Sequence, residues 1–154
     1  MARTSAGLLL HRRGADGGVE VMLAHMGGPF WARKDEGAWS IPKGEYEPGD
    51  DPLEAARREL EVELGRPAPD GELRELGEVR QASGKRVTAW ALEADIDVTA
   101  IESNSFSLEW PRGSGRFQDF PEIDRAEWFD VETARRKLVG GQVALLDRLL
   151  AALG

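Results

Sequence analysis

Two glutamates four residues apart, Glu59 and Glu63, are the residues of this chain whose type and spacing are best suited to chemistry. Four residues span about one turn of a helix, so both carboxylates would lie on the same helix face. Like charges at that spacing repel each other and weaken an isolated helix. A divalent cation would relieve the repulsion, and the pattern therefore indicates a metal site suited to phosphate chemistry.

The segment around these glutamates carries the start and stop signals of a helix. Asp51 is a suitable N-cap, Pro52 suits the first turn, and Gly65 is a suitable C-terminal stop. At about 100° per residue, one apolar stripe forms on this helix, and Glu59 and Glu63 flank it on one side. The stripe consists of Leu53, Ala56, Leu60 and Leu64. We therefore expect both carboxylates at the boundary between core and solvent.

Strand and helix signals alternate along the rest of the chain. Apolar runs bounded by turn residues predict strands, and two further helical patterns follow near the end of the chain. Asp130 is the expected cap of the first of these helices. The predicted strands cover residues 5–11, 19–25, 39–41, 75–81, 86–94, 106–110 and 126–129, the helices 131–138 and 142–150, and the loops 27–38 and 111–120. No segment has the composition of a linker, so we expect one domain over residues 1–154.

The composition excludes several classes of protein. The chain has 154 residues, 41% hydrophobic residues and 31% charged residues, which is typical of a soluble globular protein. It has no cysteine, which excludes disulfides and thiolate metal sites. No apolar run approaches the ~20 residues that a membrane helix needs, and the default location is the cytoplasm. A net charge of −8 argues against a general nucleic-acid binder but permits a small anionic substrate.

The segment from Gly44 to Gly65 resembles the Nudix box, G-x5-E-x7-R-E-U-x-E-E-x-G-U, where U is a bulky apolar residue. Arg58 and Glu59 match its R-E pair, and Glu63 matches the second glutamate of its E-E pair. The preceding WSIPKG and the internal EPG are also typical of the family. The resemblance implies a single-domain α/β/α sandwich with a mixed β-sheet.

Three positions depart from the family pattern. Asp50 stands where the family has glutamate, and Arg66 replaces the final apolar residue. Val62 stands at the first position of the E-E pair, which is commonly a metal ligand in the family. Because Mg²⁺ uses only one or two carboxylates together with phosphates and water, losing one carboxylate need not abolish activity.

The resemblance implies hydrolysis of a nucleoside diphosphate linked to another group. We expect Glu59 and Glu63 to bind Mg²⁺ or Mn²⁺. Some members have a further ligand before a late strand, and Glu122 lies at a similar place, although a solvated surface role is an equal alternative. Any of these three glutamates could accept a proton from water. Arg58 is expected to orient the neighbouring acids.

The substrate side of the predicted site begins just before the box. Lys43 resembles the lysine of P-K-G-type members that act on nucleoside and dinucleoside polyphosphates, and it could reach a distal phosphate. A backbone carbonyl near Lys43 or Gly44 is a further expected metal ligand, and Gly44 also belongs to the expected substrate site. Arg33 is a further candidate for phosphate binding, although a solvated loop role is the better interpretation of this residue. Phe30 and Trp31 are possible platforms for a nucleobase, whereas core packing is the better interpretation of Trp39, in a predicted strand. The expected partner is a nucleotide-derived small molecule, with no nucleic acid and no membrane, and the chain is expected to be a monomer or homodimer.

Two other functions remain open. The first is a nucleotide-binding or regulatory module in which Val62 has eroded the metal site. The second is a Nudix-fold isomerase, which is disfavoured because such enzymes need an extra protonating residue, usually Cys. The two histidines, His11 and His25, lie in predicted strands and are expected to be structural.

Overall fold

The first strand, β1 (Thr4–Arg13), contains the apolar run Leu8–Leu10, and its neighbour β2 is Val19–Met26. In the computed structural model, which describes residues 4–99 and 101–154, both strands are buried through their middle parts. A strand that is apolar at successive positions is buried on both of its faces. The sheet around β1 is therefore covered on both sides.

The other elements follow the predicted alternation of strands and helices, with two additions. The strands are β3 (Trp39–Ser40), β4 (Lys43–Glu45), β5 (Leu73–Arg80), β6 (Arg86–Glu93), β7 (Ser105–Glu109), β8 (Phe117–Pro121) and β9 (Ile123–Asp130). The helices are α1 (Pro52–Leu64), α2 (Val131–Lys137) and α3 (Ala144–Leu153). The additions are β4 and β8, which the sequence did not predict.

The main sheet is mixed, as predicted. Its strands run in the order β3-β2-β1-β6-β5, with β4 also paired to β1 and β9 also paired to β2. β1 and β6 are parallel, whereas the other pairs are antiparallel. One apolar cluster packs α1 against the sheet, and a second packs α2 and α3 against the opposite face. These two layers of helix confirm the α/β/α sandwich.

One edge of β1 is shared by two strands, and this arrangement opens a cleft. The first half of β1 pairs with β4, with Ser5 opposite Glu45, and its second half pairs with β2, with His11 opposite Val21. Because β4 takes the place of β2 along half of β1, β1 and β2 do not pair there. Glu45 and its neighbours thus lie in the sheet beside α1.

The prediction that residues 111–120 form a loop was wrong in its second half. Residues 117–121 form β8, which pairs antiparallel with β7, so that Phe106 lies opposite Phe120 and Glu109 opposite Phe117. The glycines at 113 and 115 have positive φ angles and form the turn between the two strands. The alternation in β8 is weak because most of its side chains are exposed, which is why the pattern did not indicate a strand.

The last helix begins two residues later than predicted because Gln142 has a different role. Its side chain is fully buried and bonds to the Ile41 backbone N–H, to Ser40 Oγ and to Gln81 Oε1, each at 3.0 Å. Gln142 ends a short 3₁₀ turn, Gly140–Gln142, before α3 starts.

Among the residues that the structure describes, no helix is long and apolar enough to cross a membrane.

Candidate active site

Helix α1 is placed by its caps and by its apolar stripe. The Asp51 side chain accepts a hydrogen bond from the Leu53 N–H at 3.1 Å, and Pro52 begins the helix. Gly65 ends it in the left-handed conformation, with its N–H bonded to the Glu61 carbonyl at 2.8 Å. The buried side chains of the helix are Ala55, Ala56, Leu60 and Leu64. Burying them fixes the rotation of α1 and directs its neighbouring carboxylates to the edge of the sheet.

A cavity of about 380 Å³ lies at that edge. Its walls come from α1, from β2, β3 and β4, from the turn between β5 and β6, and from the segments that flank the β7–β8 hairpin. Its charged lining residues are Lys43, Glu45, Glu59, Glu63, Lys85 and Glu122. The structure therefore brings together five predicted site residues, because Gly44 also lines the cavity.

Gly44 and Glu59 fit together closely. A Cβ atom at Gly44 would overlap the carboxylate carbon of Glu59. Only a residue without a side chain leaves room for that carboxylate against β4. Gly44, the first glycine of the box, therefore leaves the space that the Glu59 carboxylate occupies.

The two helix carboxylates are held in an environment that disfavours their charge. Burial, above all, raises the pKa of Glu63 to about 8, and the nearby carboxylates of Glu59 and Glu122 add to the rise. The Lys43 ammonium opposes it, and the Lys43 backbone N–H bonds to the same carboxylate. Burial also raises the pKa of Glu59, an effect that Arg58 opposes. A cation in the cavity would favour the charged forms of both acids.

Two lysines face the same cavity. Burial lowers the pKa of the half-buried Lys43, and the nearby Lys85 ammonium lowers it further. Lys85 lies 3.4 Å from the Glu45 carboxylate, on the turn that joins β5 to β6. Two ammonium groups that line one cavity can bind an anion such as phosphate. Sequence reasoning missed Lys85, and only the pairing of β6 and β4 with the start of β1 places it beside the box.

Glu122 reaches the cavity from the segment before β9. Its N–H donates to the Asn104 carbonyl at 2.8 Å, and its carbonyl accepts from the Gly27 N–H at 2.9 Å. A Cβ at Gly27 would overlap the carbonyl of Pro121, so this glycine permits the close approach. These backbone contacts fix the segment from which Glu122 extends.

Three other residues of interest do not line the cavity. Arg33 is exposed in the loop of residues 27–38, and Arg58 is exposed on α1. Val62 is 38% exposed, with its carbonyl accepting from the Asn104 N–H at 3.3 Å. The position where the Nudix box has its first paired glutamate is thus an apolar surface residue in this chain.

The donor set of the cavity suits a hard divalent cation. Among residues 4–99 and 101–154, no three acidic or histidine side chains are arranged to hold one ion by themselves. Glu59 and Glu63 nevertheless supply carboxyl oxygens, and burial, the main cause of the raised pKa of Glu63, disfavours a charge that a nearby cation would stabilise. Mg²⁺ is typically bound by one or two carboxylates with substrate phosphates and water. The residues therefore fit a cation that binds together with a phosphate substrate.

His25 and Trp39, near the loop of residues 27–38, have structural partners. His25 is buried and bonds to Asp124 at 2.8 Å and to the Lys34 carbonyl at 2.7 Å. Trp39 is buried and donates to Asp35 at 2.9 Å, as core packing requires. Phe30 differs because it is 62% exposed, with the Lys34 ammonium 3.6 Å from its ring centre. His11, the second histidine, is buried without a partner for Nε2.

Comparison with known proteins agrees with this architecture. An Ap4A hydrolase of C. elegans, solved as a binary complex, is 22% identical over 97% of both chains, with a TM-score of 0.65. The NUDIX domain of Shewanella oneidensis NrtR, solved with ADP ribose, is 12% identical over 100% of this chain and 90% of that chain (TM-score 0.66). A MutT protein from Methanosarcina mazei is 16% identical over 99% and 95% of the two chains (TM-score 0.61). These likenesses show a shared fold.

The sequence itself decides the family. Comparison with curated proteins found no match. The family model described as the NUDIX domain, however, matches residues 1–149, nearly the whole chain. The chain therefore belongs to the Nudix family of pyrophosphohydrolases.

Proposed function

We propose that this protein hydrolyses a diphosphate linkage in a nucleoside or dinucleoside polyphosphate, with Mg²⁺ or Mn²⁺ as its cofactor. The observation that carries the proposal is the lining of one cavity by four carboxylates and two ammonium groups. Phosphate chemistry needs both signs of charge, because a metal requires carboxylate ligands and the phosphates require cations. Ap4A, which names the activity of one similar protein, and ADP ribose, which is bound to another, are both nucleotide derivatives with a diphosphate linkage.

In this proposal, Glu59 and Glu63 bind the cation, and Glu122 completes the site from the segment between β8 and β9. A bound divalent cation supplies neutralisation of charge on the phosphate oxygens and activation of the attacking water. The buried setting of Glu63 strengthens its interaction with any positive charge that enters. Gly44 keeps the Glu59 carboxylate in place by leaving room for it.

The reaction forms one bond and breaks another at a single phosphorus atom. The water oxygen forms a bond to this phosphorus. At the same time, the bond between this phosphorus and the bridging oxygen breaks, and the second phosphate leaves with the bridging oxygen. One of the three carboxylates of Glu59, Glu63 and Glu122 accepts the proton of the water. Arg58 favours the charged form of Glu59, since its guanidinium opposes the rise that burial causes in the pKa of that acid.

Lys43 and Lys85 bind the phosphates that are not attacked. Their side chains line the same cavity. The Glu45 carboxylate lies 3.4 Å from the Lys85 ammonium group and positions it. Arg33 remains a candidate for a more distant phosphate, since it is exposed and outside the cavity wall.

The test is a hydrolysis assay of the purified protein against a panel of nucleotides and dinucleoside polyphosphates with Mg²⁺ or Mn²⁺. We expect release of phosphate or nucleoside monophosphate that stops when the cation is chelated. Glu63→Gln should abolish most of the turnover, whereas Glu61→Gln, a change on the exposed side of the same helix, should retain it. Turnover that is independent of both the cation and Glu63 would reject the proposal.

A second candidate function is a nucleotide-binding module without turnover, and the exposed Val62 favours it. Such a module would bind nucleotides in a titration but release no product at any cation concentration. The same panel, followed by both calorimetry and product analysis, separates the two functions.

A further inference from the structure

The β7–β8 hairpin stands apart from the main sheet and begins at the cavity. In the part of the chain that the structure describes, its two strands pair only with each other. The residues just outside the hairpin are Asn104 and Glu122, and both of them line the cavity. The hydrogen bond from the Glu122 N–H to the Asn104 carbonyl closes the base of the hairpin. The cavity and the hairpin therefore share a wall.

The two faces of the hairpin differ in character. Its inner face carries the half-buried side chains Phe106, Leu108 and Phe120, whereas Phe117 lies on the outer face and is 69% exposed. Side chains alternate between the faces of a strand, so Asn104 falls on the same face as Phe106. By the same alternation, Glu122 shares a face with Phe120. The inner face thus continues the cavity wall. The wall is polar at Asn104 and Glu122 and becomes aromatic at Phe106 and Phe120.

The two inner rings form a small apolar shelf. The centroids of Phe106 and Phe120 are 6.1 Å apart, with an angle of 39° between their planes. Phe106 is seated against Gly28, where an added Cβ would come within 2.9 Å of its Cζ. The shelf is therefore fixed to the body of the protein and remains partly open.

We propose that this inner face binds the nucleobase of a substrate whose phosphates lie in the cavity. The proposal rests on the proposed function. The distribution of positive charge agrees with this arrangement. The ammonium groups of Lys43 and Lys85 line the cavity, where the phosphates would lie, whereas the shelf consists of two uncharged rings. An aromatic ring is a general platform for a base. Asn104, between the two regions, offers both a donor and an acceptor to the edge of the base.

The test compares two ligands that share phosphates but differ in the base. Calorimetry in Mg²⁺ would measure the affinity of a non-hydrolysable nucleoside triphosphate and of inorganic tripolyphosphate. Removing a stacking ring typically weakens binding about tenfold. Phe120→Ala should therefore lose about tenfold in affinity for the nucleoside triphosphate and nothing for tripolyphosphate. Phe120→Leu, which keeps an apolar side chain, should show the same selective loss in a folded protein.

The control is Phe117→Ala, which removes the same kind of ring from the outer face and should leave both affinities unchanged. Three results would overturn the proposal: an equal loss for both ligands, no loss in either Phe120 variant, or an equal loss in Phe117→Ala. A wild-type protein that binds both ligands equally would also overturn it, while leaving the proposed function in place. A wild-type protein that binds neither ligand and releases no product would reject both.

Discussion

The backbone of Gly44 lies against the carboxylate of Glu59, with no space for a Cβ atom between them. One residue is on β4 and the other on α1, so the contact joins the two elements that form the cavity. The backbone of Gly44 has no positive φ angle, and its conformation suits any residue. The requirement for glycine at this position is therefore steric.

Gly44→Ala is expected to displace Glu59 without unfolding the protein. A shift of about 1 Å in a catalytic group can cost about 100-fold in rate, and we expect a loss of that order, similar to that of Glu59→Gln. Measurements of kcat together with thermal unfolding would separate the effect on the site from an effect on stability. Gly140→Ala is the matched control, since a Cβ there meets nothing within 4 Å. Normal activity in Gly44→Ala would contradict the steric role.

Val62→Glu is expected to raise cation affinity or turnover at limiting Mg²⁺ by about tenfold. The change places a carboxylate on α1 next to Glu63, where the family has one and this chain has an exposed apolar residue. Activity would be measured over a titration of Mg²⁺. Val62→Gln controls for size without charge and should behave as the wild type does. An unchanged titration in Val62→Glu would show that this position does not contribute to cation binding.

Glu122→Gln is expected to weaken turnover about tenfold at low Mg²⁺ and less at saturating Mg²⁺. The carboxylate lines the same cavity as Glu59 and Glu63 and raises the pKa of both, so its charge acts on the site. The measurement is kcat/KM at two cation concentrations. Asp119→Asn, on the exposed outer face of β8, is the control. Wild-type kinetics in Glu122→Gln would show that Glu122 is a surface acid without a role in turnover.

His11 is expected to make stability depend on pH. Burial, the largest cause, lowers its pKa below the usual 6.5, with Arg74 and Arg13 acting in the same direction and Glu93 against it. Between the lowered pKa and 6.5, the unfolded chain binds more protons than the folded one. The free energy of unfolding should therefore fall as the pH drops below 6.5. Urea denaturation over this range should show a shallower fall in His11→Phe, and an identical fall would contradict the assignment.

The boundaries of α1 and the placement of its carboxylates could be predicted from the sequence because they depend on neighbouring residues. Asp51 and Gly65 cap the helix locally, and the 3.6-residue period sets which residues share a face. The same local signals predicted the antiparallel pair of β5 and β6 and the cap at Asp130. The Nudix box adds fixed spacing to these signals, and the match of the family over residues 1–149 agrees with it.

Only the tertiary structure decided what surrounds those carboxylates. Lys85 and Asn104 lie far from Glu63 in sequence and come to the same cavity because β6 pairs with β1 and because the chain turns back before β9. The burial that raises the pKa of Glu63 likewise depends on several elements packing together. β8 carried no clear periodicity, because most of its side chains face solvent and its partner is a single short strand. Local patterns determined helix α1 and the spacing of its carboxylates, whereas long-range strand pairing determined the cavity.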